Sequence, residues 1–247
     1  MKIFNIKLIQ FAWVLIAFNA FFIFCYFSGI SILQQFVAPT INKVNFSYAQ
    51  MREFGSLEMM QNVLLLSICF LLFREFFSRK NILEKIFFLI GAVLFVFLFL
   101  EELDYGLHIY KYFSGNLKEV HYFSWHNQWE EGVEKATKLK RLSDAVTVIW
   151  FVLIPLLLLL PILKKLKTQL NIIPSCWFIL SIILAVIFSK IAHYLDDNGF
   201  GIINGIQGNL HKTIAEFRET SMYYLYFLYA LQLVKTENPI SLFNRSS

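Results

Sequence analysis

Carboxylates and imidazoles sit at the same end of nearly every apolar segment of this chain, and with phenols they recur there at helical spacing. Glu101 and Glu102 close one such segment, and Asp104 or Tyr105 and then His108 follow on the face of Glu101. Lys190, His193 and Asp197 repeat the spacing in a later segment, and Glu216, Glu219 and Tyr223 in the last one. Imidazole and carboxylate groups drawn from several helices suit a divalent metal such as zinc, with a remaining Glu activating a bound water. In that scheme His126, His193 and Asp197 are the expected metal ligands, and Glu101 or Glu102 the general base. Glu219 joins the catalytic set, and Lys190 or Tyr223 stabilises developing negative charge. Glu58, Gln61, Asp104, Trp125 and Asn127 are the expected substrate contacts. No His-Glu-x-x-His helix or EF-hand loop fixes the ligands, so the signal points to a polar site more than to a metal.

The elements that must position these groups are membrane spans. The chain of 247 residues is 57% hydrophobic with 28 Phe, far more than one soluble core of this size uses. The expected fold is an all-α, polytopic membrane bundle forming a single domain. Six spans are read near residues 8–33, 57–77, 83–108, 144–163, 172–193 and 214–234, each close to the ~20 residues that cross ~30 Å of hydrocarbon. The first follows Lys2 and Lys7 like a signal sequence, yet lacks a small-x-small cleavage site and is expected to stay as a helix. Cys25, Cys69 and Cys176 fall inside apolar spans and read as small buried hydrophobes.

Orientation follows from the basic connections. Arg74, Arg79, Lys80 and Lys85 flank one turn, and Lys164, Lys165 and Lys167 another, which puts both termini in the cytoplasm. With that topology the 22 Lys and Arg divide evenly between the sides, while all 17 Asp and Glu except Glu75, Glu84 and Glu237 lie outside, with all five His. The net charge of +5 is therefore an inside-positive bias and no argument for nucleic acid. The long connection 109–143 begins with aromatics and ends with charges, as expected of a segment lying in the outer interface.

Depth makes the polar groups informative. The apolar run from Ile86 to Leu100 covers about 22 Å at about 1.5 Å per residue, short of the hydrocarbon thickness, so Glu101 and Glu102 sit below the outer surface. The second span has a clean run only from Val63 to Phe73, which draws Glu58, Gln61 and Asn62 inward; the sixth draws in Glu219 and Glu216. A carboxylate in hydrocarbon costs at least ~2.5 kcal/mol on insertion scales, so these groups are expected to face one another, an ion or water. Plainer readings stand beside this one. Glu101 and Glu102 also fit a helix end among headgroups, His126 an interface residue, Lys190 a snorkelling side chain or a partner for Asp197, and Glu58 and Gln61 interhelical hydrogen bonds. The run Tyr223, Tyr224, Tyr226, Tyr229 fits helix packing.

The sequence Glu101-Glu102-Leu103-Asp104-Tyr105-Gly106, followed by His126-Asn127 and a last helix bearing Glu, resembles bacterial multipass membrane proteins with a Glu-Glu-x-x-(Trp/Tyr)-Gly signature. The resemblance covers the chain from Glu58 onward and implies no activity. Paired glutamates followed by His126 and His193 with Asp197 are also superficially similar to the CAAX-protease-like membrane peptidases. That family's Arg after the paired Glu is missing, with Leu107 and His108 near its place, and Phe123 precedes His126 by three residues instead of four. The likeness is therefore one of site type, not membership.

These observations lead to an expected function: a membrane hydrolase or transferase with a metal-assisted site open to the outer leaflet, acting on a lipid or lipid-linked envelope substrate. The alternative is a non-enzymatic transport or assembly subunit of an envelope complex. A pore within one chain is disfavoured because the inner halves of the spans are nearly all apolar. The expected location is the cytoplasmic membrane of a bacterium, with the site facing the periplasm.

Overall fold

The computed structural model describes residues 2–39, 55–107, 109–110, 143–160, 172–208, 210 and 214–236. These form a mostly helical bundle in which α1 (Lys2–Phe27), α2 (Ser31–Val37), α3 (Ser56–Ser78), α4 (Ile82–Glu102), α5 (Ser143–Leu157), α6 (Trp177–Asp197) and α7 (Glu216–Val234) follow in order. A two-stranded hairpin, β1 (Ile202–Ile203) and β2 (Ile206–Gln207), lies between α6 and α7. Among the described residues three helices, α3, α4 and α6, are long and apolar enough to cross a membrane.

Boundaries moved for local reasons. The first span was expected to reach Leu33, but the helix stops at Phe27 because Gly29 adopts φ +75, and the chain restarts as the short α2. The fifth was expected from Ile172 to His193; it begins at Trp177, past Pro174, and continues to Asp197. In α5 the turn Ile149–Leu153 is a π-helix. Pro155 lies just beyond it, has no N–H and would press on the carbonyl four residues back, and the wider turn relieves that. The connection 109–143 lies almost entirely outside the described residues.

α4 packs on α3, α3 on α7, α7 on α6, and α6 on α1, which also reaches α7. α7 is the central helix and feeds three apolar clusters. Phe217 joins Tyr26, Leu57 and Ala192; Ala230 and Leu233 join Ile68, Leu72 and Phe88; Leu225 and Leu228 join Phe151 and Phe178. Its polar side chains bond a different neighbour at each level: Tyr226 OH meets Thr147 Oγ1 of α5 at 2.5 Å, Tyr229 OH donates to the Ile172 carbonyl at 2.6 Å, and Gln232 Nε2 to the Ile173 carbonyl at 2.9 Å. Such bonds suit helices that hydrocarbon surrounds, where an unmet polar group is costly.

By contrast α4 is peripheral. Only Glu84, Phe88, Ala92 and Glu101 of it are buried, while Ile90, Val93, Leu94 and Phe97 are exposed. In water so continuous an apolar surface would drive association; in a bilayer it is the lipid face.

Candidate functional site

One end of the bundle gathers the α3 N-terminus, the α4 C-terminus and the α7 N-terminus, and there the carboxylates meet. Gln61 of α3 is fully buried, and its Nε2 donates to Glu216 Oε2 at 3.0 Å and to Thr220 Oγ1 at 2.9 Å, both on α7. The amide orientation is fixed by chemistry, since turning it over would set its oxygen against a carboxylate and would leave that contact without a hydrogen. Thr220 in turn donates to the Glu216 carbonyl at 2.9 Å. On the next turn of α7, Tyr223 OH donates to Glu102 Oε1 of α4. Glu219 and Glu216 lie one and two turns before Tyr223 on the same stripe of α7.

The end of α4 is shaped for this contact. The helix stops after Glu102, and Tyr105 turns into the left-handed region (φ 54, ψ 28), followed by Gly106 at φ 83. A bulky residue in that region carries strain of the order of 1–3 kcal/mol. Here it brings Tyr105 OH back to Glu101 Oε1 at 2.5 Å. Glu101 is buried at 5% exposure, and each paired glutamate thus accepts from a tyrosine. The expected helical stripe Glu101, Asp104, His108 does not form, because the break after Glu102 interrupts the helix; Asp104 lies in the 3₁₀ turn Asp104–Gly106, and His108 is outside the described residues.

Glu58, about one turn before Gln61, and Asn62, directly after it, are also buried. Asn62 Nδ2 donates to the Glu58 carbonyl at 3.2 Å. Gln61 Oε1 and Asn62 Oδ1 meet no donor among the described residues. Deeper on the same side, Ser221 Oγ donates to Asn19 Oδ1 at 3.1 Å, tying α7 to α1. Neither residue was singled out in the sequence, because an Asn or Ser inside an apolar run reads as tolerated polarity until its partner is known.

The α6 stripe goes elsewhere. Lys190, His193 and Asp197 are exposed, and the inward face carries Ser181, Ala185, Ser189, Ala192 and Asp196 instead. Small residues three or four apart let α6 approach its neighbours closely, which decides the rotation of the helix. The expected convergence of three stripes is therefore corrected to two helix ends, α4 and α7, joined by α3. Asp196, not Asp197, turns inward, and its Oδ1 accepts from Gln207 Nε2 of the hairpin at 3.2 Å. His126, Trp125 and Asn127 lie outside the described residues. Among the described residues no group of three His, Cys, Asp or Glu side chains is placed to hold a metal ion. His193 and Asp197 lie four residues apart on the exposed face of α6, and the third expected ligand, His126, is outside the described residues.

At the opposite end Arg79 does more than add charge to a basic turn. Its guanidinium, 12% exposed, bridges Glu75 at 2.8 Å and Glu84 at 3.7 Å, lies 5.3 Å over the Phe88 ring and donates to the Val234 carbonyl at 3.3 Å. Arg74 adds a second contact to Glu75 at 2.9 Å. The α3–α4 turn and the end of α7 are locked together there. No family model, curated protein or solved structure matches this chain.

Proposed function

We propose that the chain is a membrane-embedded hydrolase or transferase that does acid–base chemistry on a lipid or lipid-linked substrate, with its site at the outer leaflet of the cytoplasmic membrane. The observation that carries this reading is the pairing of Glu102 with the Tyr223 hydroxyl across a helix boundary, beside the Glu101–Tyr105 pair. A carboxylate that accepts from a phenol is poised to take a proton from an attacking hydroxyl or water, and the phenol to return one to a leaving oxygen. Glu101 and Glu102 are the base candidates, Tyr223 the acid or charge-stabilising group, and Glu219 an acidic neighbour. Gln61 and Asn62 offer acceptor oxygens to hydrogens that a substrate brings, with Glu58 beside them. Lys190 and His193 serve lipid headgroups from the outer face of α6, and Trp125, His126 and Asn127 come from the interfacial connection.

Two further helices, α1 and α7, complete a six-span arrangement with α5, with both termini in the cytoplasm; the basic turns at 79–85 and 164–167 support that orientation. A divalent metal enters this reading only through His126 and a carboxylate of the α4 end, and no step depends on it.

The test is turnover. Vesicles made from a bacterial total lipid extract are incubated with purified protein and the products read by mass spectrometry. Wild type converts at least one lipid species, and Glu101→Gln and Glu102→Gln, singly and together, lose that conversion while keeping the wild-type melting profile. Equal conversion by folded variants would sink the catalytic reading, and no conversion by wild type would move the case to the transport or assembly alternative.

A further inference from the structure

We infer that α2 and the β1–β2 hairpin form an interfacial anchor whose apolar side chains lie among the lipids of the leaflet next to the carboxylate end.

The hairpin is built for a defined shape. Asn204 and Gly205 sit at its tip with φ 53 and φ 76, the two positive values that a tight type I′ turn needs. The ladder pairs Ile202 with Gln207 and Ile203 with Ile206. Residues paired across an antiparallel ladder share a face and successive residues alternate, so Ile202 and Ile206 stand on opposite faces. Both are nevertheless exposed, at 47% and 45%. No single flat partner covers two opposite faces of a two-stranded ribbon, whereas a surrounding apolar medium does.

The base of the hairpin is held firmly. The Gly208 amide donates to the Gly201 carbonyl at 3.0 Å, Gln34 Nε2 of α2 to the same carbonyl at 2.8 Å, and the Leu210 amide to Tyr26 OH of α1 at 2.9 Å. With its inner side fixed by these bonds, α2 presents Ile32 (77% exposed) and Phe36 outward. This surface continues the lipid-facing sides of α1, through Phe21 and Phe24, and of α6, through Ile187, Ile191 and Tyr194.

Level supports the same occupant. From Lys7 to Phe27 in α1, and from Trp177 to Asp197 in α6, the helical rise is about 30 Å at about 1.5 Å per residue, one hydrocarbon thickness. The hairpin and α2 follow directly on both ends, at the boundary between acyl chains and headgroups. Apolar side chains on a polar, hydrogen-bonded backbone suit that boundary.

The experiment places a nitroxide at Ile202→Cys and, separately, at Ile206→Cys in full-length protein carrying Cys176→Ser, reconstituted in mixed phosphatidylcholine and phosphatidylglycerol vesicles. Collision with oxygen, which prefers lipid, is compared with collision with a water-soluble nickel chelate. Leu94→Cys on the exposed face of α4 gives the lipid reference, a free aqueous nitroxide the water reference, and protein without an added cysteine the background. Both hairpin sites falling clearly between the aqueous reference and the mid-span Leu94 value, as the acyl-chain boundary requires, is the expected result. A water-like value at either site would overturn the anchor, and so would protection from both reagents, which would mean a protein occupant.

Discussion

At the scale of single residues, the account turns on what each buried charge touches. Glu102 is the group whose loss has the clearest consequence: Glu102→Gln removes a base and is expected to lower lipid turnover by about 10²–10⁴-fold, and Tyr223→Phe to lower it by a similar factor, with neither change shifting thermal unfolding in detergent by much. A melting temperature that falls as steeply as turnover would identify the pair as structural. Arg79→Ala tests the opposite end. It strands Glu84, leaves Glu75 only the more exposed Arg74 and releases the Val234 carbonyl, and breaking a buried pair of this kind costs about 3–5 kcal/mol, read as an early unfolding transition with little direct effect on the chemistry of the surviving folded fraction. Paired glutamates ending a short apolar run were legible in the sequence, because depth alone demanded partners for them. Their tyrosines were not. Tyr105 reaches Glu101 only through a left-handed backbone that no spacing rule announces, and Tyr223 was grouped with its own helix while its partner lay on α4.

Helix by helix, composition gave the existence of the elements and small residues decided their rotation. The clean apolar runs located α3 to within a residue at each end and the start of α4, and the end of α7 falls where expected, but α4 stops at Glu102, six residues short of the expected end. α6 was read by its ionisable stripe, Lys190, His193, Asp197, when the informative pattern was Ser181, Ala185, Ser189, Ala192 on the other side. Close approach outweighs the wish to hide a charge that can instead reach a headgroup. Ala192→Leu is accordingly expected to destabilise by about 1–3 kcal/mol through overpacking against the Tyr26 and Phe217 cluster, whereas Lys190→Leu on the exposed face is expected to be close to neutral in a melting experiment. The hairpin was missed although Ile-Ile-Asn-Gly-Ile carries the strongest short-range hairpin signal; a search for membrane spans passes over two-residue strands. Gly205→Ala meets no neighbour but must hold φ 76, and is expected to cost about 1 kcal/mol.

For the whole molecule, polarity differs in kind between the two ends of the bundle. Both ends of the bundle carry buried charge, but of different kinds: the end with Arg79 pairs Glu75 and Glu84 with its guanidinium, Glu75 also taking Arg74, in a closed lock, while the other end sets glutamates of α4 and α7 against amide and phenol groups. A lock needs nothing further, and an acceptor-rich layer at lipid-headgroup depth is suited to a substrate. That contrast was half visible in the sequence as an excess of acids on one side, and the division into lock and site needed the third dimension. Every functional step assumes that the glutamate end faces outward. The most direct test is the sidedness of Tyr105, which is exposed beside Glu101. In protein carrying Cys176→Ser and Tyr105→Cys, a membrane-impermeant maleimide is applied to intact right-side-out cells and, separately, to inverted vesicles. Labelling in the intact cells and protection in the inverted vesicles is the predicted result; labelling only in the inverted vesicles would put the glutamates on the cytoplasmic side and contradict the account.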